Sequence, residues 1–321
     1  MREPPLVSVL ISNYNYGQFL EESIRSAVEQ TYRPLEVIVV DDGSTDDSRV
    51  IIESFGDQVQ PIFKENGGQA SAFNAGFAAT SGEIVCFLDA DDVFALDKVA
   101  DVVQEWEGDR RAGLIYHQVQ PIDTEGRPAG KPWPRHVWRG SIRHRIERTG
   151  GSYPRPPTSG LSFTRSYLKH LFPIPTEHFR LGSGPHGEIY ADSYIADPAA
   201  WVAPVLGIRR PLSFYRLHDE NMSGIGRLDS APERWLYATS RAAGTIAEFE
   251  LMRRVLRDRF GIEARASLDD HLFLTLLYRG LREVSQTTAL GVVWRSASLR
   301  RREKPRELLR VLLDRGFARR V

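Results

Sequence analysis

Up to residue 88 the apolar positions follow two rhythms that alternate along the chain. Residues 6–11 (LVSVLI), 35–40 (LEVIVV), 59–64 and 83–88 are short, largely apolar runs, as strands buried on both faces require. Between them, Leu20, Ile24, Ala27 and Val28 recur at helical spacing within 19–30. A second helix is expected over 46–55, capped by Ser44 or Thr45, and an Ala-rich one over 70–80 that stops near Gly82. Strand and helix alternating in this way predict an α/β fold, a doubly wound, mostly parallel sheet with helices on both faces.

Further along the pattern changes. Residues 126–160 are dense in Pro, Gly and Arg and include Trp133, His136, Trp138 and His144. Such a stretch suits neither a central strand nor a long helix. It is expected to run over the site, where Trp133 or Trp138 could stack on a ligand ring, or to be a surface loop with a few buried aromatics. Residues 182–187 (GSGPHG) form a flexible loop. After Gly226, apolar residues at helical spacing predict helices over 232–260, 268–284 and 305–317. The expected division is a catalytic unit, 1–225, and a helical C-terminal region, 226–321, packed on it.

In an open α/β sheet, ligands bind beyond the C-terminal ends of the strands. The four ends here are Ser12-Asn13-Tyr14, Asp41-Asp42-Gly43, Asn66-Gly67-Gly68 and Asp89-Ala90-Asp91-Asp92, all polar. Side chains two apart on a strand share a face, roughly 6–7 Å apart, so Asp89 and Asp91 are expected to point at one spot. Clustered carboxylates repel and call for compensation, for which a hard divalent cation is the usual agent. The alternative is a polar turn whose acids favour a helix N-terminus. The first strand-to-helix turn holds the single glycine Gly17, and neither G-x-G-x-x-G nor a phosphate loop is present. A bound diphosphate would therefore be neutralised by a metal rather than by a glycine nest.

Composition narrows the reading. The 321 residues, 41% hydrophobic and 26% charged, describe a globular chain with a sizeable core. A formal net charge of zero argues against nucleic acid as a partner. Residues 295–321 carry ten Lys/Arg and three Asp/Glu, a net of +7 against −7 for the remainder. That tail could touch an anionic membrane surface, or be the solvated face of a helix. The one cysteine, Cys86, excludes an intramolecular disulfide and reads as a packed core thiol. No apolar run is long enough to span a bilayer and the N-terminus does not read as a signal peptide. The expected location is the cytoplasm, with peripheral contact at the inner membrane face as the variant.

Four segments carry a resemblance: VSVLISNYNYGQFLEESIRSAVEQTY, LEVIVVDDGSTDDS, ENGGQASAFNAGFAATSGEIVCFLDADD and, downstream, FYRLHDENMSG. In order and spacing they resemble the family-2 glycosyltransferases of GT-A fold. The resemblance implies a nucleoside diphosphate sugar donor, a divalent metal (Mn²⁺ or Mg²⁺) on the D-x-D motif, and transfer to a hydroxyl with inversion. The acceptor would be a glycan, a lipid-linked or another hydroxyl compound, in polysaccharide or glycoconjugate assembly. Residue by residue, Ser12, Tyr14, Asp41 and Asp42 match positions around the nucleobase, Gly68 a loop signature, Asp89 the ribose acid and Asp91 the metal acid. UDP is the expected carrier, with thymine or guanine nucleotides as alternatives. Phe73 stands where many relatives carry Arg.

Inversion needs one carboxylate to take the acceptor proton. In the family this is the Asp of an E-D pair opening a helix. The matching position is Asp192, with Ala191 in place of the acid and Glu188 or Asp197 as alternatives. His218 matches a metal or diphosphate contact, and Arg216 could pair with phosphate. Asp92, Trp138, Glu188 and Arg216 are expected either to face the acceptor or to support residues that touch the ligands. The C-terminal helices could serve dimerisation, acceptor binding or membrane attachment. Two competing readings are a relative that binds nucleotide sugar or glycan without transfer, motivated by Ala191, and a nucleotidylyltransferase, against which the Asn13-Tyr14-Asn15 turn speaks.

Overall fold

A computed structural model describes residues 3–149, 151–176, 190–218 and 231–266, with the side chains of 231–245 excepted. The expected alternation is observed as β1 (Val7–Asn13), α1 (Gly17–Val28), β2 (Leu35–Asp41), α2 (Ser48–Ser54), β3 (Gln60–Phe63), α3 (Gln69–Ala79) and β4 (Ile84–Asp89). Strand β5 (Val93–Phe94), helix α4 (Lys98–Gly108) and strand β6 (Leu114–Ile122) follow. The Pro-rich stretch holds only β7 (Arg139–Gly140), α5 (Arg143–Glu147) and a 3₁₀ turn, Thr158–Gly160. Then come β8 (Leu161–Thr164), α6 (Arg165–Leu168), α7 (Ala191–Ala196), α8 (Ala199–Val202), β9 (Val205–Arg216) and α9 (Ala231–Phe260).

The sheet runs in the order β3-β2-β1-β4-β8-β6-β9-β5, with β7 on β9. Strands β1 to β4 pair in parallel, as do β6 and β9. Strand β8 intervenes between β4 and β6 and is antiparallel to both, and β5 and β7 are antiparallel to β9, so the expected parallel pairing is carried by β1 to β4 and by β6 with β9. Strand pleating sends alternate residues to opposite faces. Val9, Ile11, Val39, Cys86 and Leu88 pack under α1, α2 and α4 on one side. Leu10, Val85, Phe87, Leu114 and Phe163 pack under α3, α7, α8 and α9 on the other. Cys86 is fully buried, as a core thiol should be.

Helix α9 covers the span expected for the first C-terminal helix, and Phe249, Met252, Val255 and Leu256 sit in the same core as β6 and β8. The expected helices over 268–284 and 305–317, the basic tail, the boundary at 226 and the loop 182–187 lie outside the described residues. Among the described residues no helix is long and apolar enough to cross a membrane.

Helix α2 starts two residues later than expected. Neither proposed cap serves it: Ser44 is bonded to Asp41, Asn13 and Asn15, and Thr45 to Asn15. Instead Asp46 Oδ1 accepts from the Ser48 amide, and its Oδ2 accepts from the Gly17 amide. A Cβ at Gly17 would stand 2.9 Å from that oxygen, so the lone glycine of the first turn permits a close approach between two loops.

Candidate active site

Pairing register sets the strand ends level. Ser12 lies opposite Asp89, and Asn13 opposite Asp41. The polar ends of β1, β2 and β4 therefore share one edge, as the pattern required.

At the end of β2 the two acids are already engaged. Asp41 accepts from Asn13 Nδ2 at 2.8 Å and from the Ser44 hydroxyl and amide. Asp42 is 3% exposed and accepts from Lys64 Nζ and from the Gly67 and Gly68 amides. These three donors occupy most of the roughly four acceptor sites of the carboxylate. Gly68 makes this arrangement with φ 80° and ψ 171°, a conformation nearly restricted to glycine. Tyr14, by contrast, is 44% exposed with its ring open to stacking, and Ser12 is partly open beside it.

The acidic end of β4 divides by role. Asp92 is fully buried. It accepts from Ser159 Oγ at 2.6 Å and from the Arg216 amide at 2.9 Å, and Ser159 Oγ also accepts from the Asp89 amide. Burial, then the charges of Asp91 and Asp89, push the Asp92 carboxyl well above the usual carboxylate range. Asp89 is likewise pushed up by burial, then by Asp91 and Asp192, against a Thr158 hydrogen bond that pulls it down. Asp91 Oδ2 lies 2.9 Å from His218 Nε2. Tyr16 and Phe19 hold that imidazole by edge and tilted ring contacts, centroids 5.5 and 5.0 Å away.

Neighbouring ligands of an octahedral cation, each about 2.1 Å from it, stand about 3.0 Å apart. Asp91 and His218 are thus spaced to share one Mg²⁺ or Mn²⁺. Among the described residues no group of three or more such ligands occurs, so phosphate and water would complete the shell, as Mg²⁺ prefers.

Asp192, on α7, is 8% exposed and close enough to Asp89 to raise that acid's proton affinity. Its Oδ2 faces Arg155 at 3.4 Å. The amide of Ala191 donates to Gln69 Oε1 at 3.2 Å, which ties α7 to the start of α3. Ala191 itself packs in the core. Glu188 lies outside the described residues, and Asp197 is bound to Arg155 at 2.8 Å.

Two expectations are redrawn. Arg216 is 2% exposed, and its guanidinium is spent on Glu22, on the Asp91 carbonyl and on the Thr124 carbonyl. It braces the site and does not present itself to a phosphate. Trp138 is 3% exposed with Arg145 stacked 3.7 Å above its ring, so it cannot stack on a sugar; the exposed indole is Trp133, at 47%. Phe73 is buried against Phe87, which makes position 73 part of the core rather than a phosphate contact. Asn74 bonds both backbone groups of Ile174 and is a packing residue. Arg155, Ser159, Thr158, Lys64 and Gln69 were not legible as site residues, because no spacing or motif links them to the acids they meet.

The model of glycosyl transferase family 2 matches residues 8–172. An uncharacterised glycosyltransferase of Nostoc sp. is 35% identical over 283 residues, covering 83% of this chain and 80% of that protein. The chain belongs to glycosyltransferase family 2. Within the family, Escherichia coli chondroitin synthase is 34% identical over 139 residues, 42% of this chain but 20% of the synthase. Among solved structures, Staphylococcus aureus TarS 1–349 in complex with UDP aligns over 94% of this chain and 77% of its own, with TM-score 0.56 and 18% identity. The mannosyltransferase PcManGT of Pyrobaculum calidifontis, in complex with GDP-Man and Mn²⁺, aligns over 95% and 79%, with TM-score 0.50 and 20% identity. Both share the GT-A fold with this family-2 glycosyltransferase.

Proposed function

We propose that this glycosyltransferase moves a sugar from a nucleoside diphosphate sugar to an acceptor hydroxyl with inversion, using Asp192 as the base. What supports the reading is that Asp192, more than a hundred residues on, lies close enough to Asp89 to raise its proton affinity, while the Ala191 amide ties the start of α7 to Gln69 of α3. Tyr14 supplies a stacking face for the nucleobase and Ser12 a neighbouring hydroxyl, while Asp41, Asp42 and Gly68 shape the wall behind them. Asp89 receives the ribose. Asp91 and His218 would hold a divalent cation, which when bound lowers the charge of the leaving diphosphate. UDP and GDP sugars are the carriers to test, since structural neighbours hold UDP, UDP-GlcNAc and GDP-Man.

The reaction is a single displacement. The acceptor oxygen attacks the anomeric carbon and its proton passes to the Asp192 carboxylate. The bond between that carbon and the diphosphate oxygen breaks, and the nucleoside diphosphate leaves with the electron pair. One displacement inverts the centre, so no second carboxylate nucleophile is needed. Arg155 leaves one Asp192 oxygen without a bond to it, and that oxygen is suited to take the proton.

Asp192→Asn tests this reading. The variant should bind UDP-GlcNAc or GDP-Man with Mn²⁺ as the unsubstituted protein does, by calorimetry, and lose turnover. Retained turnover would remove Asp192 from the mechanism. Intact donor binding with no turnover in the unsubstituted protein would favour the competing reading, a nucleotide-sugar binding relative.

A further inference from the structure

Arg155 enters the site from the Pro-rich stretch before the 3₁₀ turn, and its side chain is 19% exposed. Two short bonds anchor its guanidinium: Nε to Asp197 Oδ1 at 2.8 Å and one terminal nitrogen to Ser193 Oγ at 2.7 Å. The other terminal nitrogen faces Asp192 Oδ2 at the longer distance of 3.4 Å. Ser193 Oγ in turn donates to Glu248 Oε1 at 3.0 Å, so α9 closes the ring of contacts. We infer that Arg155 is the positioning residue of the base: clamped by Asp197 and Ser193, it aims one N–H at Asp192, and Asp197 sets how much of its charge the base feels.

The argument is one of geometry and shared charge. A planar guanidinium with two short bonds cannot swing, so it fixes the third direction. A cation this near favours the ionised form of a carboxylate, yet here two carboxylates divide one cation. Other charged or titratable groups bearing on the pair are Tyr153 from the same loop, Glu248 from α9 and Asp89 from β4. Arg155 is held strongly protonated by Asp197, Asp192 and Glu248 despite its burial. Asp197 is pushed up by burial, with Arg155 opposing and Asp192 reinforcing that rise.

The inference rests on Asp192 being the base, and its test is independent of turnover. In the full chain labelled with ¹³C at the aspartate carboxyls, the Asp192 signal is assigned by its loss in Asp192→Asn and followed against pH. Arg155→Gln should move its midpoint up by about one pH unit or more. Asp197→Asn should move it down, because it removes a like charge and leaves the whole guanidinium to Asp192. Shifts of opposite sign are the signature, since a packing role alone would move neither or both together. Should Arg155→Gln fail to fold, Arg155→Lys, which keeps the charge and loses the fork, decides: its midpoint should still move up, and one that coincides with the unsubstituted protein would overturn the inference. Midpoints that coincide with the unsubstituted protein would overturn the inference. Opposite shifts in an enzyme whose Asp192→Asn variant still turns over would instead uphold the clamp and remove Asp192 as the base.

Discussion

Replacing Arg216 separates a structural brace from a phosphate ligand. Its guanidinium donates to the Asp91 and Thr124 carbonyls at 3.0 Å each, and to Glu22. It also stacks 4.9 Å from the Phe19 ring centroid, and Phe19 leans on His218. In Arg216→Met the aliphatic stem is kept and the fork is lost. The carbonyl of buried Asp91 then loses this donor, at about 1–3 kcal/mol, whereas Thr124 is exposed and its carbonyl finds water. The bond to Glu22 adds little, because that carboxylate is 58% exposed and finds water. A loss of about 1–3 kcal/mol is therefore expected in urea unfolding of the ligand-free protein. At the roughly 2–4 °C per kcal/mol of a large domain, the melting temperature falls by about 2–12 °C. Arg216→Lys should recover little of it, since one ammonium cannot reach both carbonyls and Glu22. A phosphate ligand would behave oppositely, sparing the ligand-free protein and weakening UDP binding. Ligand-free stability of Arg216→Met within about 0.5 kcal/mol of the parent would refute the reasoning.

Three further outcomes are expected. His218→Ala should weaken the Mn²⁺ dependence of UDP binding by about tenfold or more, read as a rightward shift of the metal titration in calorimetry; superimposable titrations would remove His218 from the metal site. Gly68→Ala should cost about 1–3 kcal/mol, because alanine resists φ 80° with ψ 171°, whereas Gly108→Ala, whose Cβ would meet nothing within 4 Å, should stay within about 0.5 kcal/mol. For Asp92 the folded state raises the carboxyl's proton affinity, so the folded protein binds more protons than the unfolded and stability falls as pH rises above about 4. Asp92→Asn should make melts recorded between about pH 4 and 8 flatter, though not flat, since Asp89 is raised too; an unchanged slope would count against that sign.

Much of the scaffold could be read from residue order because it rests on short-range rules. Apolar runs and helical spacing located the first four strands and three helices to within two residues, the α2 start displaced by Asp46 included. The span of α9 was legible for the same reason. Shared polarity at the strand ends pointed to one edge, and pairing of Ser12 with Asp89 and Asn13 with Asp41 realises it.

Side-chain commitments were not legible, because they depend on partners that only folding brings near. Asp92 looked like its neighbours in sequence, yet Ser159, 67 residues away, and the Arg216 amide, 124 away, take it out of the pocket. Trp138 and Trp133 were equivalent candidates until the packing of Arg145 and Tyr116 buried one of them. Arg155 carried no motif at all; its meaning comes from lying within reach of Asp192 and Asp197, some forty positions on. By itself the sequence determined the first four strands and their polar edge and pointed to the acids of D-x-D and to Asp192, since local periodicity and strand register act over a few residues. Only the tertiary structure decided which of those acids stay open to a ligand and which are spent on the protein, because hydrogen bonds and burial are settled between segments far apart in the chain.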